Sequence, residues 1–317
     1  MAFTIDINKF RFGADATAFA GKNVLITGSG RDRGLGQALV LAAGLNGAAN
    51  VGVHFHRSYR DGFDLVDALR EAGVNAFALQ ADVTNNADLW SSRTYVVEQM
   101  GGRSPDIVIC NSGLTEQGYR FGRSLPEIEG EPRGERRARV RRAYLENLEE
   151  SRAVLNTKID GFVAMTHLWA AEAVYHQTPV QLVYVSSKQA LEPGPSVPGY
   201  AIANWAVLQL PQVLRVNLGR AADMASAYCL MLPFIKTSMT EEYSENEKVF
   251  GRWQPRMLET HEAAASITQL MSQAPESLDQ GLFELNVSGT VEKTELEWLH
   301  RAIEVRDEGT RGKMVLT

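Results

Sequence analysis

The regular alternation of short apolar runs with longer amphipathic segments most limits how this 317-residue chain can fold. The apolar runs predict strands at residues 22–28, 49–57, 76–83, 106–113, 180–187, 225–233 and 281–287. The segments between them predict helices at about 36–45, 62–72, 86–101, 151–176, 200–219 and 259–273. Continuous apolar runs suit strands that are buried on both faces, as in a parallel sheet covered by helices. The alternation therefore predicts an α/β protein with a doubly wound parallel sheet in three α/β/α layers.

Three segments fall outside the alternation and suggest the domain organisation. Residues 1–20 form an N-terminal extension, residues 21–290 form a single domain, and residues 291–317 form a helical tail. The domain carries an insertion at about 114–150, which includes six arginines within residues 133–142. We expect the two terminal segments to serve contacts between subunits.

Composition narrows the classes of partner and compartment. A net charge of −6 and a pI of about 5.6 argue against nucleic acid as the main partner. Cys110 and Cys229 lie inside apolar runs, which predicts buried free thiols in a reducing compartment. No signal peptide is predicted at the N-terminus and no apolar run approaches the roughly 20 residues of a membrane span, so we expect a cytoplasmic protein. No metal site is predicted, because His54 and His56 have no third ligand nearby.

A glycine-rich turn, TGSGRDRGLGQAL, follows the first predicted strand and opens the first predicted helix. Glycine lets the backbone approach a pyrophosphate closely, and a helix N-terminus supplies N–H groups and the positive end of a dipole. The strand before the turn and the helix after it are the context that such a site requires. The sequence therefore predicts a dinucleotide site at Gly28, Gly30, Gly34, Leu35 and Gly36.

The end of the second predicted strand indicates which dinucleotide binds. Proteins that bind NAD commonly place an acidic residue here, which accepts from the ribose 2′-OH. This chain has basic and polar residues instead, and a guanidinium can grip a 2′-phosphate with two hydrogen bonds. The pattern favours NADP+ or NADPH as the cofactor. The predicted phosphate contacts are Arg31, Arg33, His56, Arg57 and Ser58.

The motifs that carry chemistry follow one another in a recognisable order. They are TG…GLG (27–36), ADV (81–83), CNSG (110–113), Ser187 and Tyr200. This order resembles the short-chain dehydrogenase/reductase superfamily over residues 20–290. The resemblance implies a single Rossmann-type domain with an NAD(P)(H) site and a catalytic serine and tyrosine.

The same resemblance implies further cofactor contacts. Asp82 and Val83 would flank the adenine, and the turn from Asn111 through Ser112 to Gly113 would line the ribose and pyrophosphate. The segment LPFIKTSM (232–239) is similar to the nicotinamide segment of the family, which makes Thr237 a contact to the nicotinamide amide. The chain departs from the family in a glycine loop that is about two residues longer and in Leu-Pro where the family has Pro-Gly.

The largest departure concerns the charge that a catalytic tyrosine needs. The family places a lysine four residues after the tyrosine, but this chain has Asn204. A cation at about 4 Å and an effective dielectric near 20 contributes on the order of 4 kcal/mol, or roughly three pKa units. The motifs VLNTKIDG and YAIAN resemble the ketoreductase domains of polyketide synthases, in which the lysine stands three residues before a glycine of the preceding helix. Lys158 and Gly161 match that arrangement, so we expect Lys158 to supply the charge.

Other interpretations of these residues stay open. Lys158 could be a solvated helix lysine and Asn204 the mark of an inactive protein. Lys188, directly after Ser187, is a second source of positive charge.

The predicted reaction is the reduction of a ketone by NADPH. Ser187 would hydrogen-bond the carbonyl oxygen, Tyr200 would protonate the developing alkoxide, and Lys158 would stabilise the tyrosinate. Asn204 would position the ribose, a water or the lysine.

The resemblance to ketoreductases suggests a 3-oxoacyl thioester on coenzyme A or on an acyl carrier protein. The arginine-rich insertion is a surface to which an acidic carrier protein could dock. The alternative is a solvated amphipathic helix with Val140, Tyr144 and Leu148 packed inward.

Two other functions compete with thioester reduction. One is a reductase or dehydrogenase of a free small ketone, sugar or alcohol, and the other is a non-catalytic NADP(H)-binding regulator or structural subunit. Enoyl reduction is disfavoured, because no lysine lies six or so residues beyond Tyr200. The resemblance also suggests a homodimer or homotetramer.

Overall fold

All seven predicted strands are present and lie in one sheet of the computed structural model, which describes residues 5–116, 125, 127–194, 197–244 and 256–296. The strands of this sheet are β1 (Asn23–Ile26), β2 (Asn50–Phe55), β3 (Ala76–Gln80), β4 (Ile107–Cys110), β5 (Val180–Ser187), β6 (Ala225–Leu232), β9 (Leu282–Leu285) and β10 (Val291–Lys293). Their spatial order is β10-β9-β6-β5-β4-β1-β2-β3, and every pair except β9–β10 is parallel. The predicted α/β fold with a doubly wound parallel sheet is confirmed.

The helices cover both faces of this sheet. They are α1 (Leu35–Leu45), α2 (Tyr59–Glu71), α3 (Asn86–Gln99), α4 (Arg133–Leu155), α5 (Gly161–His176), α6 (Pro198–Val207), α7 (Leu210–Leu218), α8 (Ser238–Ser244), α9 (Thr260–Met271) and α10 (Pro275–Leu278). A separate pair of short strands, β7 (Ile235–Lys236) and β8 (Leu258–Glu259), precedes α8 and α9. Two apolar cores, one on each face of the sheet, result from the buried β-strand side chains.

The described part of the N-terminal extension packs onto the domain. Phe10 and Phe19 are buried in the core that α1 and α9 also form. The backbone N–H of Phe12 donates to Asn46 Oδ1 at 2.8 Å, and that of Ala18 donates to Ser272 Oγ at 3.1 Å. Residues 5–20 therefore complete the apolar core of the domain.

The predicted helical tail is wrong at its start. Val291–Lys293 form a strand that pairs antiparallel with β9, with Val291 opposite Leu285. Val291 packs against the core, and the backbone of this segment pairs with the edge of β9. A strand is therefore more stable than a helix at this position. Residues 297–317 of the tail lie outside the described residues.

The insertion contributes a helix that is much longer than the periodicity predicts. α4 has 23 residues and continues through a π-helical turn, Asn156–Asp160, directly into α5. Val140 and Tyr144 are 51% and 62% exposed, so the predicted inward packing of these residues is wrong. The only fully buried residue that α4 contributes is Val154, near its C-terminal end. Residues 117–124 and 126 of the insertion are outside the described part.

The helices of the described ranges are too polar or too short to cross a bilayer.

Candidate active site

The candidate site lies at the carboxyl ends of the parallel strands, where chain order in the sheet reverses between β1 and β4. Strands to one side of this point run β1, β2, β3, and those to the other side run β4, β5, β6. The connections after β1 and β4 leave on opposite faces of a doubly wound sheet, so a crevice opens between them. The glycine loop and the CNSG turn both border this crevice.

The glycine loop leaves room that side chains would fill. Gly28 has a φ of +65°, and a Cβ there would lie 2.8 Å from Ser112 Cα. A Cβ on Gly36 would lie 2.5 Å from the carbonyl oxygen of Gly28. Gly34 is the N-cap of α1 and offers no side chain to its first N–H groups. The cradle and the uncapped helix N-terminus fit the pyrophosphate of a dinucleotide.

Asn111 and Thr27 join the glycine loop to the turn after β4. Thr27 Oγ1 accepts from the N–H of Asn111 and of Ser112 at 3.0 and 3.1 Å. Asn111 Nδ2 donates to the carbonyl oxygens of Thr27 and Gly28 at 3.0 and 3.2 Å. The Asn111 side chain therefore holds the two loops together, while Ser112 and Gly113 continue along the crevice.

His54 supports the glycine loop, a role that the sequence analysis does not predict, since it treats this histidine only as a possible metal ligand. Its Nδ1 accepts from the N–H of Gly28 at 3.1 Å, and the imidazole is buried. This acceptance requires a neutral ring with its proton on Nε2. Burial lowers the pKa of His54 from 6.5 to about 4.

We expect the folded protein to lose stability when the pH falls from 7 to 5. Below pH 6.5 the unfolded chain binds a proton at His54 that the folded chain excludes until about pH 4, so protonation favours unfolding. This difference costs about 2 kcal/mol at pH 5. Urea unfolding of the wild type and of His54→Gln, whose amide does not titrate, measures the effect. An equal loss of unfolding free energy in both proteins would contradict the assignment.

Three of the predicted phosphate contacts lie together after β2. His56 and Arg57 are exposed, and Ser58 is the N-cap of α2 with no hydrogen bond from its own side chain to that helix. His56 Nδ1 lies 3.6 Å from Asp82 Oδ2 at the end of the neighbouring strand. A basic and polar corner therefore lies at the end of β2, where the sequence predicts the contacts to a 2′-phosphate.

Arg31 and Arg33 contact the start of α8 in the structure. Arg33 has a φ of +51°, and its Nη1 lies 2.5 Å from Glu241 Oε1. Arg31 Nη2 donates to the carbonyl oxygen of Ser238 at 3.4 Å. The glycine loop is thereby joined to the predicted nicotinamide segment, in which the Thr237 N–H donates to Thr240 Oγ1 at 2.9 Å.

Asp82 and Val83 have different local roles. Asp82 Oδ1 accepts from the N–H and the hydroxyl of Thr84 at 2.9 and 2.8 Å. Partial burial raises the pKa of Asp82, but these bonds and the nearby His56 and Arg57 outweigh it, so the pKa is lowered overall. Val83 is buried, and a Cβ on Gly161 would lie 2.8 Å from its Cγ2, which explains the glycine three residues after Lys158.

Ser187, Tyr200 and Asn204 lie at the junction of β5 and α6. Ser187 Oγ accepts from the N–H of Gln189 at 3.2 Å, which leaves the hydroxyl proton free to donate. Tyr200 stands in the first turn of α6. Asn204 is fully buried, its Nδ2 donates to the Tyr200 carbonyl oxygen at 2.9 Å, and its Oδ1 has no hydrogen-bond partner among the described residues.

Lys158 is buried in the π-helical turn, with 5% of its surface exposed. The turn packs against α6, the helix of Tyr200, and Nζ lies 4.9 Å from the Phe162 ring centroid. Nζ is also 3.7 Å from the position that a Cβ on Gly113 would take, which places the ammonium beside the CNSG turn. Within the described ranges it makes no ion pair, and burial lowers its pKa from 10.5 to about 8. The interpretation of Lys158 as a solvated surface lysine is wrong.

Lys188 forms an ion pair with a residue of a neighbouring strand. Its ammonium contacts the carboxylate of Glu284 on β9. The alternative source of positive charge is therefore already neutralised by a carboxylate.

Glu116 is a second residue that sequence analysis missed. Its carboxylate accepts from the backbone N–H groups of Gly199 and Tyr200 and from the hydroxyl of Ser151. No motif marks it, since its partners are 35 to 84 residues away. In the described ranges there is no group of three or more His, Cys, Asp or Glu side chains that could hold a metal ion.

A family model described as short chain dehydrogenase matches residues 22–248. A hydroxynaphthalene reductase from Aspergillus fumigatus is 37% identical over 95 residues, which are 30% of this chain and 33% of that protein. A versicolorin reductase 1 from Dothistroma septosporum is 35% identical over 99 residues, or 31% of this chain and 36% of that protein. The matched stretch thus spans about a third of each relative.

Solved structures share the fold across nearly the whole chain. A gluconate 5-dehydrogenase from Burkholderia cenocepacia, in complex with NADP and tartrate, has a TM-score of 0.67 and 17% identity, with 90% of this chain and 98% of that chain covered. A short chain dehydrogenase from the same organism, in complex with NADP, has a TM-score of 0.65 and 18% identity, with 86% and 99% covered. At this identity the likeness shows the fold.

Proposed function

Because the chain belongs to the short-chain dehydrogenase family, we propose that it is an NADPH-dependent reductase that converts a ketone into a secondary alcohol. The observation that carries this proposal is the burial of Lys158 beside the helix of Tyr200 and the CNSG turn. An unpaired buried lysine costs folding free energy, and we infer that the cost is tolerated because the ammonium lowers the pKa of the Tyr200 phenol.

The roles of the chain's own groups follow from their positions. Ser187 donates its hydroxyl proton to the substrate carbonyl oxygen, and Tyr200 transfers a proton to the same oxygen as it becomes an alkoxide. Lys158 stabilises the tyrosinate that remains. Asn204 fixes the first turn of α6 through the Tyr200 carbonyl, and its Oδ1 is an acceptor for a water or for the ammonium. The bound nicotinamide supplies the hydride.

The residues that would hold the dinucleotide lie along the crevice. The pyrophosphate would contact Gly28, Gly30, Gly34, Leu35 and Gly36, the adenine would contact Asp82 and Val83, and the remaining contacts would be Asn111, Ser112, Gly113 and Thr237. His56, Arg57 and Ser58 support the choice of NADPH over NADH, since no carboxylate ends β2. Arg31 and Arg33 would reach the 2′-phosphate after leaving Ser238 and Glu241.

We expect Arg57→Ala to raise the KM for NADPH about tenfold or more while leaving the KM for NADH nearly unchanged. In the proposed complex the guanidinium would contact the 2′-phosphate, which NADH lacks, and a hydrogen-bonded charge pair contributes about 1.5–3 kcal/mol. Initial rates with each cofactor measure the change, and Arg60→Ala, in the first turn of α2, is the control. Equal losses with both cofactors would remove Arg57 from the phosphate site.

For the substrate we propose a 3-oxoacyl thioester on coenzyme A or on an acyl carrier protein. A free cyclic ketone is the second candidate, because two relatives are named reductases of hydroxynaphthalene and of versicolorin. NADPH oxidation with a panel of both classes, with product identification, tests the proposal. Binding of NADPH without turnover of any member would overturn it in favour of a non-catalytic NADP(H)-binding protein.

The exposed face of α4 supports docking of an acidic carrier protein. Arg136 and Arg139 are paired with Glu127 and Glu131, and the other four arginines of residues 133–142 are exposed. We expect the KM for a carrier-bound substrate to rise about tenfold between 50 and 500 mM salt and in Arg137→Glu/Arg141→Glu. The KM for the same acyl group on coenzyme A serves as the control. A carrier KM that stays constant in both tests would contradict docking on α4.

We also propose a homodimer or homotetramer in a reducing cytoplasm. The buried thiols of Cys110 and Cys229, whose pKa values burial raises, are consistent with that compartment. Light scattering of the purified protein measures the subunit number.

A further inference from the structure

Glu116 connects the helix of the proton donor to the helix of the cation. It lies three residues beyond the CNSG turn and is 1% exposed. Its Oε1 accepts from the N–H of Gly199 at 2.8 Å and from Ser151 Oγ at 2.6 Å, and its Oε2 accepts from the N–H of Tyr200 at 3.0 Å. One buried carboxylate therefore caps α6 at Tyr200 and is fixed to α4 through Ser151.

The position of Ser151 makes this link relevant to Lys158. Ser151 precedes Lys158 by seven residues in the uninterrupted helical segment formed by α4, the π-helical turn and α5. Seven residues are about two turns of this segment, so Ser151 lies close to the π-helical turn that holds Lys158. α6 packs against both α4 and the π-helical turn.

The absence of a side chain at Gly199 leaves room for the contact between Glu116 and Ser151. A Cβ at this position would lie 2.7 Å from Glu116 Oε1 and 3.1 Å from Ser151 Cα. A larger residue would push the carboxylate and α4 away from the start of α6. The carboxylate also lies at a helix N-terminus, where a negative charge is favourable.

We propose that Glu116 is a positioning residue that sets the separation between the Tyr200 phenol and the Lys158 ammonium. This inference rests on the proposed reductase function. The interaction between a cation and a phenolate varies inversely with distance, so an increase from about 4 to about 6 Å lowers the stabilisation enough for a tenfold change in rate. Glu116 acts through Tyr200 and needs no contact with the substrate.

The test compares Glu116→Gln with the wild type, using whichever ketone of the substrate panel the wild type turns over. Glutamine keeps the shape but presents an NH2 group to one of the N–H donors, so α6 shifts away from its cap. We expect kcat to fall about tenfold, the KM for ketone and the dissociation constant for NADPH to change less than twofold, and the pKa of the tyrosine limb in the kcat pH profile to rise. Glu172→Gln removes a second buried carboxylate, which pairs with Arg93 of α3 near the C-terminal end of α5, and should leave all these values unchanged.

Each outcome decides the inference. A wild type without turnover refutes the proposed function, whereas an active wild type with an unaltered kcat in Glu116→Gln refutes only the positioning role. An equal loss in Glu172→Gln also refutes it, because general destabilisation then explains the result. If Glu116→Gln does not fold, Ser151→Ala, which removes one hydrogen bond of the cap, must lower kcat at least threefold at constant KM. A normal kcat in Ser151→Ala would then overturn the inference.

Discussion

Tyr200→Phe is expected to lower kcat/KM for the ketone by about 10²- to 10⁴-fold, the range of general acid catalysis by a positioned side chain. Phenylalanine keeps an aromatic ring at this position of α6 but has no hydroxyl proton to deliver to the alkoxide. NADPH affinity should stay within twofold, because the phenol is needed for proton transfer rather than for the pyrophosphate or 2′-phosphate contacts. Stopped-flow or steady-state rates of NADPH oxidation measure the loss, and fluorescence titration measures binding.

Tyr144→Phe provides the matched control for this substitution. Tyr144 lies on α4 and is 62% exposed, so loss of its hydroxyl leaves the crevice unchanged. Turnover of Tyr200→Phe within threefold of the wild type would show that another group donates the proton. The assignment of Tyr200 would then be abandoned.

Lys158→Met is expected to change activity and stability in opposite directions. A cation at about 4 Å contributes on the order of 4 kcal/mol to a tyrosinate, so kcat/KM should fall about 10²- to 10³-fold. Methionine fills a similar volume in the buried π-helical turn and replaces the cation–π contact with Phe162 by a sulfur–aromatic contact. At pH 7 the variant should unfold with a free energy up to about 3 kcal/mol greater than that of the wild type.

The sign of this stability change follows from the pKa of Lys158. Burial lowers that pKa from 10.5 to about 8, so the folded protein holds the charged form less favourably than the unfolded chain does. Below pH 8 both states are protonated and the penalty is complete, and it is relieved as the pH rises from 8 to 10.5. Urea unfolding at pH 7 and pH 10 measures it, and the advantage of Lys158→Met should shrink at the higher pH. A variant that is both inactive and less stable at pH 7 would contradict this account.

The same pKa predicts the alkaline limit of the wild-type reaction. As the pH rises through about 8, Lys158 loses its proton and the tyrosinate loses its stabilisation, so kcat/KM for reduction should decline. The pH profile of kcat/KM measures this decline, and a profile that stays flat between pH 7 and pH 9 would contradict the role of Lys158.

Local patterns in the sequence were sufficient for the fold, and they selected the candidate functional groups. Each of the seven strands is a mostly apolar run, because burial on both faces disfavours polar side chains, so the positions of the strands can be predicted from the sequence. Ser187, Tyr200, Lys158 and the glycines were selected because their spacing resembles that of a known family. Their chemical roles remain predictions until the variants are assayed.

Other features depend on residues that the chain brings together from far apart. β10 forms because the edge of β9 is available and Val291 has a core to pack against, which outweighs the helical pattern of the tail. α4 exposes Val140 and Tyr144 because no other described element covers them, whatever their spacing predicts.

The sequence by itself determined the order of strands and helices, the glycine loop and the motif pair YAIAN and VLNTKIDG, since these are patterns among neighbouring residues. Only the tertiary structure decided that Lys158 is buried beside Gly113, that His54 supports Gly28, and that Glu116 caps the helix of Tyr200. Burial and hydrogen bonding set the charge and position of these side chains. Burial and hydrogen bonding depend here on groups that are distant in sequence, so no local pattern predicts the charge and position of these side chains.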